Sequence, residues 1–219
     1  MNTKITLLFL LAGIVAFGQK IPKDKKQLIA SVENHKEDLI SISDKIWANA
    51  EIAFQETESS KLLADYAEAN GFTVERGVAN IPTAFIATYG EGKPVISVLG
   101  EFDALPGISQ KAQPTKEPLE AGAAGHGCGH NLFGTASLGA AIAVKEMIEA
   151  GEIKGTVKFI GTPAEEKFFG KLWMLEAGVW DDVDVNVSWH PSADTKADVQ
   201  SSLAMVDFIV EFNGQAAHA

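Results

Sequence analysis

Apolar runs typical of strands alternate with helical segments from residue 72 onward, and this alternation constrains the fold more than any other feature. The predicted strands are 72–78, 84–89, 95–100, 156–161, 183–189 and 203–212. Amphipathic or apolar spacing predicts helices at 23–51, 56–70, 134–150 and 171–177. This order favours an α/β sheet covered by helices. Ligands bind such sheets beyond the carboxyl ends of the strands, so we expect the functional groups there.

Composition and charge limit the possible partners. With 219 residues, of which 46% are hydrophobic and 21% charged, the chain can bury a full core. The formal charge of -11 argues against a nucleic-acid surface, which needs clustered Lys and Arg to neutralise phosphates.

The first 18 residues depart from this globular pattern. A short positive start that includes Lys4 leads into an apolar or small run at 5–17, and a small-x-small signal follows at 16–18. The apolar run is shorter than the roughly 20 residues that span a bilayer. We therefore expect a cleaved signal peptide at 1–18, export to the periplasm or the medium, and no stable membrane insertion afterwards.

A glycine-rich turn at 125–131 holds the only cysteine, Cys128, between His126 and His130. Glycine allows a backbone to approach an ion or ligand closely. A lone cysteine is often only a small buried apolar residue. In this polar turn, two functional interpretations stay open: a metal ligand beside His130, or an activated thiol.

Further polar residues follow three predicted strands. Asp103 comes after the third strand, Glu165 and Glu166 after the fourth, and His190 directly after the fifth. Each has an ordinary structural interpretation, such as a turn residue, a solvated helix start or a hydrogen-bonded histidine. Together they suit metal-assisted hydrolysis, in which one carboxylate binds the ion and its neighbour takes a proton from water. Asp103 could be a ligand or could orient one.

Five motifs together resemble a known family. They lie at residues 100–106, 125–131, 163–166, 181–190 and 214–219. The sequence is similar to the zinc aminoacylase/carboxypeptidase amidohydrolases, especially the subgroup that contains the p-aminobenzoyl-glutamate hydrolases. The resemblance implies a zinc-exopeptidase-like sheet flanked by helices, with the first strand of a smaller α+β lid and dimerisation domain at the C-terminus.

The resemblance also implies a set of roles at the site. Two divalent ions, zinc or manganese, would be held by Cys128, His130, Glu166 and His190. Glu165 would be the general base that activates water, Asp103 would orient a ligand, and His126 would support the glycine-rich turn. His218 would help to stabilise the substrate or the oxyanion, often across a dimer. The expected substrates are small amides: N-acyl or aroyl amino acids such as p-aminobenzoyl-glutamate, or dipeptides.

The expected domain organisation begins with the signal peptide at 1–18. The resemblance adds a catalytic domain at 19–200 and the start of the lid at 201–219, through which a homodimer would form. The chain departs from the family at 167–171, where a glycine-rich stretch is usual. A further metal-binding histidine of the family has no counterpart here, so we expect an N-terminal fragment. Two alternatives remain: a non-catalytic fragment or degenerate homologue, and a hydrolase with Cys128 as nucleophile.

Overall fold

The computed structural model describes residues 21–197, 204, 206 and 208–215. Three helices come first: α1 (Lys23–Asn34), α2 (Lys36–Asn49) and α3 (Thr57–Ala69). Next come β1 (Thr73–Arg76), a 3-10 turn (Val78–Asn80), β2 (Phe85–Glu91) and β3 (Val95–Glu101). The later elements are α4 (His130–Glu149), β4 (Gly155–Thr162), α5 (Glu165–Phe168), α6 (Gly170–Glu176) and β5 (Val185–Val187).

The strands form one mixed sheet in the order β1-β2-β4-β3-β5. β3 runs parallel to both β4 and β5, whereas β2 pairs antiparallel with β1 and β4. Because β3 and β4 are parallel, α4 forms the crossover between them. The carboxyl ends of β3, β4 and β5 consequently share one edge of the sheet, which we call the site edge.

Helices cover both faces of this sheet. Phe159 on β4 belongs to a buried cluster with Ile46 of α2 and Leu138 of α4. Its neighbour Ile160 belongs to a second cluster with Met174 of α6. Consecutive strand residues point to opposite faces, so the two clusters lie on the two sides of the sheet. The predicted sheet flanked by helices is confirmed.

The first predicted helix, 23–51, is wrong in one respect, because the chain forms two helices that meet at His35. The His35 backbone has φ -93° and ψ 0°, outside helical values. Its ring lies 2.8 Å from the Tyr66 hydroxyl and 3.0 Å from Glu146 Oε1. These contacts link the junction to α3 and α4. No glycine or proline lies at the break, so the helical spacing of apolar residues runs through it without interruption.

Two further differences lie beside the site edge. Helix α4 begins at His130 rather than at 134, and α5 was not predicted at all. The first turn of α4 is partly polar, and a four-residue helix is too short to display helical periodicity. The segment 106–124 forms no helix or strand.

The predictions for the two ends of the chain have different outcomes. The signal peptide at 1–18 and His218 lie outside the described residues. The strand predicted at 203–212 is wrong for its described positions, which have no regular structure. Phe208 and Phe212 are 82% and 92% exposed, and a strand needs a hydrogen-bonded neighbour that these positions lack in the described part of the chain. Among the described helices, none has the length and apolar character to cross a membrane.

Candidate metal centre

The start of α4 lies directly against the end of β3. A Cβ atom at Gly134 would stand 2.6 Å from the backbone oxygen of Glu101, and one at Gly100 would stand 2.9 Å from the Gly134 Cα. Both separations are shorter than van der Waals contact, so the close approach requires glycine at both positions. It places His130, the first residue of α4, beside Glu101 and Asp103.

The His130 ring is completely buried and faces carboxylates on both of its nitrogens. Nδ1 lies 3.0 Å from the Asp103 backbone oxygen and 3.0 Å from Asp103 Oδ1, so we assign the Nδ1 proton as the donor to Asp103. Nε2 lies 2.9 Å from Glu101 Oε2 and 3.9 Å from Glu165 Oε2. Nε2 nevertheless has no hydrogen-bond partner, because Glu101 approaches it at an unsuitable angle and Glu165 is too far away. Nε2 is therefore the nitrogen that can bind a metal.

Cys128 and His190 form the second part of the site. The Cys128 Sγ lies 3.3 Å from His190 Nε2, and His190 Nδ1 donates to the Pro191 oxygen at 2.9 Å. A Cβ at Gly129 would stand 3.0 Å from Pro191 Cγ, so the small residue lets the turn pack against the segment after β5. Ligand atoms of Cys128, His130 and His190 all lie within 4.8 Å of one another.

Asp103 links the histidine to the paired glutamates. Its Oδ1 contacts His130, and its Oδ2 accepts a hydrogen bond of 2.9 Å from the Glu166 backbone N–H. The Glu166 side chain is 13% exposed, whereas that of Glu165 is 37% exposed. The two consecutive carboxylates therefore have different surroundings: Glu166 is enclosed beside His130, and Glu165 is open to water.

The electrostatics of these groups distinguish two kinds of chemistry. Burial lowers the pKa of His130, but the carboxylates of Asp103 and Glu101 outweigh it and raise the pKa to about 10. Burial, aided by the nearby Glu166, raises the pKa of the Cys128 thiol to about 11. A nucleophilic cysteine needs a lowered pKa. These surroundings therefore oppose a cysteine nucleophile and favour a site whose anionic groups receive a cation.

The donor set fits a divalent metal. Buried atoms without a hydrogen-bond partner include His130 Nε2, Glu101 Oε2 and Glu166 Oε1, and all three belong to this one site. A second group of potential ligands, Glu101, His130 and Glu165, also lies within 4.8 Å. Imidazole, thiolate and carboxylate are the usual ligands of zinc. The centre thus offers two overlapping groups of potential metal ligands.

The structure brings together nearly all of the site residues that the sequence suggested. The exceptions are His126 and His218, the latter being outside the described residues. His126 Nε2 donates to the Ile46 oxygen at 3.0 Å, and burial lowers its pKa to about 4. This hydrogen bond links the glycine-rich turn to α2.

Sequence reasoning missed three residues at the site. Glu101 ends β3 with its side chain beside His130, and Lys171 pairs with the other oxygen of Glu101. The position of Glu101 at the end of an apolar strand is the same signal that singled out Asp103. Glu56 is the third: its completely buried carboxylate accepts a hydrogen bond from the backbone N–H of Ala164, just before the paired glutamates. No local pattern connects Glu56 to that turn.

The fold and the site together define a metallopeptidase-like protein, and the family comparison agrees. Residues 98–211 match the family described as "Peptidase family M20/M25/M40". The chain belongs to this family.

Relatives and solved structures give the same picture. Over 192 residues the chain is 48% identical to a p-aminobenzoyl-glutamate hydrolase polypeptide of Escherichia coli, and the match covers 86% of this chain and 40% of that protein. It is 30% identical to the Xaa-Arg dipeptidase of Mus musculus over 207 residues, covering 89% of this chain and 44% of that protein. The chain thus spans about two fifths of the length of these relatives.

A solved structure from Bacillus subtilis, described as a dinuclear metal binding peptidase from the M20 family, superposes with a TM-score of 0.60 at 30% identity. The match covers 74% of this chain and 44% of that one. A Klebsiella pneumoniae aminobenzoyl-glutamate utilization protein, at 18% identity, shares the fold with a TM-score of 0.55 over 73% of this chain and 45% of that one.

Proposed function

We propose that this protein is a metal-dependent amidohydrolase that cleaves the C–N bond of a small amide with water. The observation that carries the proposal is that ligand atoms of Cys128, His130 and His190 lie close together beside several carboxylates. Three buried atoms of this cluster lack hydrogen-bond partners: His130 Nε2, Glu101 Oε2 and Glu166 Oε1. Membership of a peptidase family supports it. So does the description of a structural relative as a dinuclear metal binding peptidase.

The proposed roles follow the surroundings of each side chain. Cys128, His130, Glu166 and His190 would hold two divalent ions, zinc or manganese. Such ions would lower the pKa of water and polarise the amide carbonyl. Glu165 is the general base, because its carboxylate is solvent-accessible and lies 3.9 Å from His130 Nε2. Asp103 holds His130 and the Glu166 backbone in place.

The substrate class rests on the relatives rather than on pocket geometry. The Escherichia coli relative is named for p-aminobenzoyl-glutamate, and the mouse relative for Xaa-Arg dipeptides. We infer that the substrate is an N-acyl or aroyl amino acid, with p-aminobenzoyl-glutamate as the first compound to test and dipeptides as the second. We also propose that His218 contributes to substrate or oxyanion stabilisation, that the protein is exported and that it forms a homodimer.

Metal removal and restoration test the proposal. The protein, produced from its complete reading frame, is stripped with a chelator and assayed for release of p-aminobenzoate, then reloaded with zinc or manganese. We expect activity only in the reloaded protein. Hydrolysis that persists without any divalent ion would refute the proposal, and a trapped acyl group on Cys128 would establish the cysteine mechanism instead.

Two adjacent substitutions test the division of roles. Glu165→Gln is expected to keep bound metal and lose most turnover, by a factor of at least about 100, the low end of the contribution of a general base. Glu166→Ala is expected to lose metal affinity. Glu176→Gln, at an exposed position of α6, is the matched control and should change neither quantity. Equal metal loss in both site variants would contradict the separate roles.

A further inference from the structure

Glu56 is a completely buried carboxylate outside the set of proposed metal ligands and acid–base groups. Its Oε1 accepts hydrogen bonds of 2.9 Å from the backbone N–H groups of Phe54 and Ala164. Its Oε2 accepts one of 3.2 Å from the Thr83 hydroxyl. A buried carboxylate is costly unless such bonds satisfy it. These three hydrogen bonds therefore stabilise Glu56 in its buried position and tie it to the backbone at Phe54 and Ala164.

The backbone that Glu56 holds is strained. Ala164 has φ 59° and ψ 41°, a left-handed conformation that residues other than glycine rarely adopt. Such conformations persist where the surrounding structure enforces them. Ala164 is completely buried, and the two residues that follow it are the paired glutamates. The hydrogen bond from Ala164 to Glu56 thus fixes the direction in which Glu165 and Glu166 leave β4.

The same carboxylate also supports the far end of α5. The Phe168 ring, at the end of this helix, stacks on the Phe54 ring with 5.4 Å between centroids and 16° between planes. Phe54 itself has a left-handed φ of 62° and donates its N–H to Glu56. A helix of four residues has no stability of its own, so contacts at its two ends must set its position.

We propose that Glu56 is a positioning residue: by holding Ala164 and Phe54, it fixes α5 and aims Glu165 and Glu166 at the metal centre. The catalytic part of this inference rests on the proposed function. The geometric part does not, because it rests on the hydrogen bonds from Ala164 and Phe54 to Glu56 and is tested by hydrogen exchange at the Ala164 amide.

Two substitutions separate positioning from charge. Glu56→Gln keeps an oxygen that accepts both backbone N–H groups, and the Thr83 hydroxyl can rotate to accept from the new amide. Glu56→Ala removes all three bonds. We expect the alanine variant to bind zinc about 10- to 100-fold more weakly. Its kcat should fall about 100-fold, with a much smaller change in KM, as for a misplaced catalytic group. The glutamine variant should stay close to wild type in both.

Glu51 offers a matched control in the same segment. Its carboxylate accepts hydrogen bonds from the Glu58 N–H, the Ser59 N–H and the Ser59 hydroxyl at the start of α3. Glu51→Ala therefore also loses three bonds and some stability, but none of them reaches α5. We expect it to keep its zinc affinity and its kcat per folded molecule. Hydrogen exchange at the Ala164 amide should accelerate in Glu56→Ala and stay unchanged in Glu51→Ala.

The outcomes are separable. Zinc affinity and kcat in Glu56→Ala that match those of Glu51→Ala would overturn the proposal, as would a glutamine variant as impaired as the alanine one. If the wild type hydrolyses no tested amide, the proposed function fails, while zinc affinity and Ala164 exchange still decide the role of Glu56. If Glu56→Ala does not fold, Glu56→Asp keeps the charge but is one methylene too short to reach both the Phe54 and the Ala164 N–H groups. An unchanged zinc affinity in that variant would overturn the proposal.

Discussion

Asp103 is the best single residue with which to test the geometry of the centre. It is almost completely buried, and its two carboxylate oxygens accept from two different parts of the site: His130 Nδ1 at 3.0 Å and the Glu166 N–H at 2.9 Å. Asp103→Asn keeps the shape of the side chain. However, it replaces one acceptor oxygen with an NH₂ group, so one of the two buried donors must face another donor.

The expected magnitude follows from that single lost contact. A hydrogen bond to a charged group contributes roughly 1.5–3 kcal/mol, and leaving a buried donor unpaired costs about as much. The donor that loses its carboxylate oxygen belongs in either case to a proposed metal ligand, although His130 Nδ1 keeps the Asp103 backbone oxygen at 3.0 Å. A loss of about 2 kcal/mol in metal binding corresponds to roughly 30-fold in Kd, since 1.4 kcal/mol is tenfold. This value falls within the range for partners that orient metal ligands.

Competition with a chromogenic chelator measures the zinc Kd of wild type and Asp103→Asn directly. Asp184→Asn is the control, because Asp184 also accepts a backbone N–H, from Val95 at 2.8 Å, but at the opposite end of the sheet. We expect it to leave zinc affinity unchanged. A zinc Kd for Asp103→Asn that equals that of wild type would refute the claim that Asp103 holds the ligands in place.

The remaining predictions concern stability. Burial, the largest cause, raises the pKa of Glu56 from 4.5 to about 7, so the folded state binds its proton more tightly than the unfolded state does. Relative to Glu56→Gln, wild-type stability should be fully present below pH 4.5 and fall as pH rises through 7, by at most about 3 kcal/mol in denaturant titrations. Gly134→Ala should lower the free energy of unfolding by about 1–3 kcal/mol, because the added Cβ meets the Glu101 oxygen. Helix propensity alone predicts a gain of about 1 kcal/mol, so a gain would contradict the packing argument. Zinc at 100 times its Kd should stabilise the protein by about 2.7 kcal/mol in the same titrations, and no shift would argue against a preformed site.

The sheet and most of the candidate site could be predicted from the sequence, because parallel strands place the residues that follow them at one edge of the sheet. The residues after β3, β4 and β5 had to meet if these strands were parallel, and the structure places Asp103, Glu166 and His190 together. Strand length and helix ends were less well predicted. The break at His35 depends on contacts with Tyr66 and Glu146, which are distant in sequence.

Glu56 and Glu101 were missed for the same physical reason: the groups that they contact are distant in sequence. Glu56 acts on Ala164 across 108 positions of sequence, and it lies in a loop without helical or strand periodicity. Nothing in the local pattern distinguishes it from a solvated glutamate before a helix. Glu101 ends an apolar strand, but its neighbour His130 is the first residue of α4, which begins four residues earlier than predicted. Both assignments required the tertiary structure.

The buried groups around His130 carry an excess of negative charge. Around His130, Glu101 and Asp103 are almost completely buried, and Glu166 is largely so, while Lys171 supplies the cation paired with Glu101. Like charges at such distances are unfavourable in a poorly hydrated site unless a cation lies among them. Burial alone would lower the pKa of His130, but these carboxylates raise it to about 10, because a protonated ring supplies such a cation. A divalent ion held by Nε2 would place two positive charges among the same buried carboxylates, which would therefore favour metal binding.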